Sequence, residues 1–511
     1  MSGDYSRKRF NPEKHYQGVL RQQGRVDLDA DWNEYVDLQD RRWRAETIDV
    51  VGRSGVPDET PDGFKIAVSG GELTVGQGRM YVDGYVAENH GTAPAFEPTL
   101  EEGYGTAALP VKNQPYGGPV TVPAQVRSLV YLDVWRREVT HLQAPDLIEP
   151  AVNVDSTTRY QTAWQVRVLA NIPPDITCDT PLSDIPGWPT GNRSSSARLT
   201  TTTVAVTTEP DPCLVPPTGG YRGLENHLYR VEVHSATTTT AKVKWSRENA
   251  HVATSLLEIL AGRTTVRVES LGRDDVLRIK TGDWVELTSD QREFAGLPGE
   301  MRKVTVDDAN QTLTFSPALP AADFPQGVVD AAKHVRVIRW DQSGIVRKPD
   351  GSQLINLDLT SDGLIELSAA NPSFVLELGV QATLTVLAGG TAHSGDYWCF
   401  AARTADADIE RLNQAPPLGI HHHHAHLAII EPNGEIHDCR TVFPPLTELT
   451  PGCCTVVVRP GEDIQAAIDS LPDEGGCVCL KVGDHEIQAP IRIEKSHVSL
   501  HGETLGARVV R

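Results

Sequence analysis

At 511 residues the chain is long enough for three or four domains. With 43 Gly, 35 Pro and few long periodic helical stretches, it reads as a mainly β protein. A formal net charge of -21 excludes a nucleic-acid partner, whose phosphates it would repel, and no run of about 18 apolar residues exists to span a membrane. The polar N-terminus, MSGDYSRKRFNPEKHYQG, lacks the apolar core of a signal peptide, so the protein is expected to be made in the cytoplasm without signal-peptide export. The eight cysteines, at 178, 213, 399, 439, 453, 454, 477 and 479, are few for this length and imply no disulfide framework.

Residues 1–55 read as an N-terminal arm and helix. An extended arm from Phe10 to Gln23 turns at Gly24 and enters a helix near Asp29. Asp29 and Asp31 suit the positive end of the helix dipole, and Gly52 and Gly55 mark its end. Val36, Trp43 and Val50 are spaced by seven, with Trp32 four residues before Val36. Such a stripe serves either as core within the chain or as a helical contact among three copies. A polar arm gains little by packing on its own chain, so the segment 1–52 is expected to be an attachment element outside the globular core.

Residues 56–260 read as a β domain. Apolar and polar residues alternate over Phe64–Val68 and Met80–Val82, with Gly70-Gly71, Gly76 and Gly84 as turns. Ser128–Trp135 and Thr162–Leu169 are strong strands, and 179–221 is a Ser/Thr/Pro-rich loop or insertion. The polar run Lys244-Trp245-Ser246-Arg247-Glu248-Asn249 suits a site, or an ion pair of Arg247 with Glu248 or a neighbouring carboxylate. Residues 261–342 carry short strands at close spacing, as in an SH3-like barrel.

Residues 343–448 read as a further β domain with a histidine-rich strand. In Gly419-Ile420-His421-His422-His423-His424-Ala425-His426, a strand would place His422, His424 and His426 on one face and His421 and His423 on the other. Histidines at i and i+2 can share one metal, and three chains about an axis could supply six imidazoles. Imidazole suits several transition metals, Fe or Zn among them. The alternative is a polar strand edge whose histidines meet neighbouring carboxylates.

Residues 449–511 read as the capped entry of a right-handed parallel β-helix. Thr455–Val458 is followed by Pro-Gly and a short amphipathic helix with Ile464, Ala467, Ile468 and Leu471 on one face. Short strands follow at Val478–Leu480, Ile491–Ile493, Val498–Leu500 and Val509-Val510. Val478/Leu480 and Val498/Leu500 recur at a spacing of twenty, the period of one coil. At least about three coils are usually needed for stability, so further coils or a partner are expected over the open end. Cys453, Cys454, Cys477 and Cys479 suit small buried residues of the solenoid wall, or a Zn site. Asp473-Glu474 and Asp484-His485-Glu486 sit too near the cap for a catalytic pair and read as turns. With no Gly-rich phosphate loop, Ser-His-Asp signature or CxxC pair, the chain is not expected to be an enzyme.

The segment Arg25-Val26-Asp27-Leu28-Asp29-Ala30-Asp31-Trp32-Asn33-Glu34 resembles the opening of a bacterial protein family associated with contractile injection systems and phage-like tails. The resemblance continues through Asp155–Arg159, Trp164–Arg167, Leu228–Glu232, Lys244–Asn249, Gly395–Trp398, Asp438–Arg440 and Phe443–Pro445. It implies a structural tail-fibre, spike or baseplate-attached protein, a homotrimer bound to other particle proteins. Its attachment residues would be Arg25, Leu28, Trp32, Asn33, Glu34, Val36 and Trp43. Its β-helix would reach a cell-surface glycan or receptor. Trimeric phage fibres hold an iron with a His-x-His arrangement, although this family keeps fewer histidines here. A tailspike-type polysaccharide lyase or hydrolase with its site in coils beyond Arg511, and a β-helix surface adhesin, are the alternatives.

Overall fold

The computed structural model describes residues 3–69, 72–92, 104–105, 107–203, 220–445, 455–502 and 507–510. The expected Gly70-Gly71 turn, residues 204–219 of the expected insertion, and Cys213, Cys453 and Cys454 lie outside them. The protein is mainly β, in several sheets. It divides into two compact units: residues 1–55 with 62–441, and residues 56–61 with 442–511. Among the described residues, no helix is long and apolar enough to cross a membrane.

The sheets of the first unit cross the sequential boundaries expected above. One five-stranded sheet joins Ala197–Thr203 to strands between 345 and 386. A second joins His227–Ala236 and Thr240–Ser246 to Ile365–Ser368, Tyr397–Arg403 and Asp408–Ile409. One core holds Leu199, Phe374 and Ala382 from the first sheet together with Val231, Trp245, Trp398 and Phe400 from the second. The two sheets are therefore the layers of a sandwich. An antiparallel sheet over residues 253–340 is inserted between them in the chain. Its end strands, Glu300–Lys303 and Thr305–Asp307, are consecutive through Val304, so it curls into a near-closed barrel around Val266, Val285, Leu313 and Val337. The barrel starts at Ala253, before the expected 261, because Ala253–Ile259 pairs with both Arg336–Trp340 and Thr265–Val268.

A third sheet carries the histidines. β1 (Ser128–Val139) pairs along its length with β2 (Arg159–Ala170), and on its other side with β3 (His422–Ile430). β4 (Ile436–Asp438) covers only the last residues of β3, leaving its histidine half open on that side. Below this sheet, Leu129, Tyr131 and Ile429 pack with Ile172, Ile185 and Trp188. Part of the expected insertion is thus core, and Ala197–Thr203 within it is a strand. One disulfide, Cys178–Cys439, ties this layer together, where no framework was expected.

α1 (Asp29–Val51) corrects the expectation that its stripe is core. Trp32 and Trp43 are 62% and 65% exposed, Val50 is exposed, and Val36 is half-buried. The buried residues of α1 are Ala30 and Leu38. At about 100° per residue, Trp32, Val36, Trp43 and Val50 fall within about 40° of one another. Asp37, Arg41, Arg44 and Ile48 lie roughly opposite. From that second face the Arg44 guanidinium stacks 4.0 Å from the Tyr85 ring, and Asp40, between the two faces, pairs with Arg136 at 2.8 Å.

The second unit pairs its strands in parallel. Val456–Val458 lies beside Gly476–Leu480, which lies beside Val498–Gly502, with Val456 opposite Val478 and Val478 opposite Leu500. The repeat is therefore 22 residues, not the expected twenty. Gly483–Glu486 and Ala507–Val510 form a second parallel pair. Ile491–Ile493, expected as a strand, is not one. The short helix Ile464–Asp469 is capped by the Asp463 carboxylate and buries Ile464, Ala467 and Ile468 against Val458, Val478 and Leu480. Cys477 and Cys479 are buried in this wall.

Candidate functional site: a charged cleft beside the histidine strand

The first unit contains a cleft of 2320 Å³. Its walls include the arm from Arg7 to Lys14, the inward face of α1, the sandwich strands around Arg230 and Lys244, and the start of β3 at His421 and His422. Three segments that carry the family resemblance meet here. Leu228–Glu232 and Lys244–Asn249 lie on or next to paired strands, and Tyr397-Trp398 is on the strand beyond.

Their side chains form a buried charge network. Glu232 accepts from the Arg230 guanidinium at 2.8 Å and lies 3.1 Å from the Lys244 ammonium. Lys244 donates to Glu286 at 2.5 Å and sits 4.4 Å over the Trp340 ring. Glu286 also accepts from the Trp340 indole N–H at 3.0 Å and from the Gly299 N–H at 3.0 Å. Arg230 stacks 3.7 Å from the centre of the Tyr397 ring. Burial by itself would raise the Glu286 carboxyl, but the Lys244 charge and His234 outweigh it and hold it well below its ordinary value. Burial likewise disfavours charge on Lys244, and the two carboxylates outweigh it and hold its affinity for a proton above normal. Both carboxylates are engaged by cations, so the network suits holding strands in place better than acid–base chemistry. Arg247, expected to pair with Glu248 or a neighbouring carboxylate, pairs with Glu377 at 2.7 Å.

The histidines meet carboxylates, but not as the alternation alone implied. His422 Nδ1 lies 2.7 Å from Asp133 Oδ1, and His424 Nε2 lies 3.4 Å from the same oxygen. Arg167 donates to the other oxygen, Oδ2, at 2.8 Å. The register explains this convergence: His424 is directly opposite Asp133, and His422 is opposite Trp135, two residues on. Trp135 stacks on the His422 ring at 5.0 Å, and Trp188 meets the His424 ring edge-on at 5.2 Å. His423, on the other face, lies 3.0 Å from Asp83, which Arg53 also holds. His426 stays outside the group: it stands opposite Tyr131, two residues from Asp133, and its ring lies near Thr180 and Asp179. Burial pushes the His424 ring down to about 4, so it is neutral at neutral pH. Burial would raise Asp133, and His422, His424 and Arg167 hold it down instead. Asp133 was not foreseen. Its only trace in the sequence is a lone charge inside the apolar strand Leu129–Val134.

The expected attachment residues are not gathered into the cleft. Arg25 and Leu28 are exposed before α1, and Trp32 and Trp43 face outward. Glu34 lines the cleft, and Asn33 is half-buried. Among the described residues, no cysteine belongs to a group placed to hold an ion.

A sandwich with an inserted barrel, and a charged cleft lined in part by the N-terminal arm, define a multi-sheet β protein. The chain belongs to a family of unknown function, DUF6519, whose model matches residues 1–177 and 192–461. The break at 178–191 holds Cys178, Ile185 and Trp188, and residues from 462 onward lie outside the match. No curated protein and no solved structure matches the chain.

Proposed function

We propose that this protein is a structural, homotrimeric component of a contractile injection system or phage-tail-like particle, attached through its N-terminal region. The observation that carries the reading is the outward stripe of α1, with Trp32, Val36, Trp43 and Val50 on the face away from the body. Two exposed tryptophans on one helix face are costly in water unless a partner covers them. The seven-residue spacing of Val36, Trp43 and Val50 suits the same helix in other copies, packed about an axis. Gln39 and Glu46 continue the register begun by Trp32, which favours a short, tunable contact over a long coiled coil.

Two further features support the reading. Exposed Tyr16, Leu20 and Val26 precede the helix and offer a second apolar surface for a baseplate protein. The parallel strands at 22-residue spacing support a right-handed parallel β-helix opening at residue 455, its first rung shielded by the helix Ile464–Asp469. Such a solenoid would project toward a cell-surface glycan or receptor. The cation-paired carboxylates of the cleft support a structural role over a catalytic one.

The test is the mass of the full chain in solution by light scattering. A trimer is expected, and the double variant W32S/W43S is expected to be a folded monomer with an unchanged circular dichroism spectrum. A monomeric wild-type chain at tens of micromolar, or a trimer indifferent to both substitutions, would overturn the proposal.

A further inference from the structure

The arrangement of Asp133, His422 and His424 raises a question that the attachment reading does not answer. Asp133 is 1% exposed and lies in the middle strand of a sheet, where an unpaired carboxylate is costly. Arg167 takes its Oδ2. Its Oδ1 faces two imidazole nitrogens, His422 Nδ1 at 2.7 Å and His424 Nε2 at 3.4 Å. The three ligand atoms lie within 4.8 Å of one another.

His424 is the telling group. Its side chain is 8% exposed, and Nε2 has no hydrogen-bond partner although Asp133 Oδ1 is only 3.4 Å away. A buried ring nitrogen is usually satisfied, and one left facing an anion across 3.4 Å asks what stands between them. Trp188 and Tyr131 pack around the same ring and fix its direction.

We infer that Asp133, His422 and His424 of a single chain form a binding site for one divalent first-row transition ion of the Zn²⁺ or Fe²⁺ class. Ions of this class bind imidazole nitrogen and carboxylate oxygen at about 2.0–2.2 Å, so neighbouring ligand atoms stand about 3 to 3.5 Å apart. Of the observed separations, 3.4 Å falls inside that range and 2.7 Å just below it, so small side-chain rotations would accommodate an ion. Two histidines and one monodentate carboxylate are the donor set such ions accept, and no thiolate is present to favour a softer metal. Arg167 acts on the second oxygen as a positioning residue, keeping the carboxylate turned so that Oδ1 faces the rings. His422 and Asp133 both line the cleft, which leaves the remaining coordination positions to water or to a ligand entering from it. The site uses one chain and excludes His426. It therefore differs from six imidazoles around a three-fold axis, and it stands whether or not the attachment proposal does.

The experiment uses the untagged full chain, stripped with chelator and titrated with Zn²⁺ by calorimetry and with Co²⁺ by visible absorption. One equivalent is expected, with cobalt bands of a nitrogen/oxygen site. H424A and H422A should each weaken binding by more than the about 10- to 100-fold that loss of an outer-shell partner costs. H421A and H426A should leave it within about two-fold, since neither residue belongs to the set. H422A covers the case that H424A disturbs the core, because the His422 side chain is the more exposed of the two. Zn²⁺ should also raise the melting temperature of wild type but not of H422A. Absence of stoichiometric binding would overturn the inference. So would binding that survives H422A and H424A and is lost with H421A or H426A, which would mark an adventitious polyhistidine surface.

Discussion

Replacing Lys244 by Met is expected to destabilise the first unit by about 3–5 kcal/mol, the typical cost of removing one partner from a buried ion pair. Lys244 is buried between Glu232 and Glu286, and its ammonium sits 4.4 Å over the Trp340 ring. Methionine keeps a similar unbranched side chain and removes the charge together with its cation–π contact. Glu232 keeps Arg230, but Glu286 keeps only the neutral donors Gly299 N–H and Trp340 Nε1–H, with His234 Nδ1 3.7 Å away. The pH dependence separates charge loss from packing loss. In wild type the Glu286 carboxyl is held below its ordinary value of 4.5, so its stabilisation is present above that value and fades as pH falls through the lower, folded-state value. In K244M the same carboxyl lacks its cation and is raised. Stability should then improve as pH falls from 8 towards 5, as Glu286 takes up a proton. Thermal unfolding of both proteins across that range tests this. Parallel profiles would show that the charge on Lys244 carries little of the stability.

The network also shows how much of the molecule was legible. Arg230, Glu232 and Lys244 sit in segments that stood out by their resemblance to a family, although the strands bearing them were not singled out. Their partners Glu286 and Trp340 come from the inserted barrel, about 40 and 95 residues further on, and nothing local marks them as facing Lys244. The same limit applies at the histidine strand. Its identity as a strand and its alternate faces followed from period two, but Asp133 enters through antiparallel pairing across nearly 300 residues. That His426 stands opposite Tyr131, away from the carboxylate, likewise has no signature in a run of histidines. The barrel's existence was legible from its dense turn signals, whereas the sandwich enclosing it was not, because its two halves are separated by the insertion. In the second unit, apolar spacing gave the solenoid-like recurrence but missed the 22-residue register, since Val478 pairs with Leu500 and not with Val498.

The arm gives the second large effect, and here the structure changes what should be deleted. The sequence suggested that residues 1–52 lie outside the globular core, yet the first residues are built into the body. The Gly3 N–H and the Tyr5 hydroxyl both donate to Glu138, Tyr5 also meets Thr158, and the Gly3 carbonyl accepts from Asn249 at 2.9 Å. Arg403 donates to the Ser6 carbonyl. A β-carbon on Gly3 would stand 2.8 Å from the Thr158 methyl and 2.9 Å from the Tyr5 ring, so the seat has no spare room. Ser6 bonds to Asp29 and Arg9 to Asp31, which pins both ends of the intervening segment together at the start of α1. Residues between about 12 and 27 therefore form an excursion that leaves the body and returns, and they carry the exposed Tyr16, Leu20 and Val26. Removing residues 1–10 should strip several partners from Glu138 and Asn249 at about 1–3 kcal/mol for each group left unsatisfied, and should lower the melting temperature clearly. Replacing residues 13–27 by a short Gly/Ser linker should leave the melting temperature nearly unchanged, because the ends are already adjacent, while abolishing docking to the particle. Calorimetry on the two variants, with co-sedimentation against assembled particles for the second, separates the roles. A linker variant that still docks would move the attachment surface to the tryptophan stripe of α1, and one that unfolds would make the excursion part of the core.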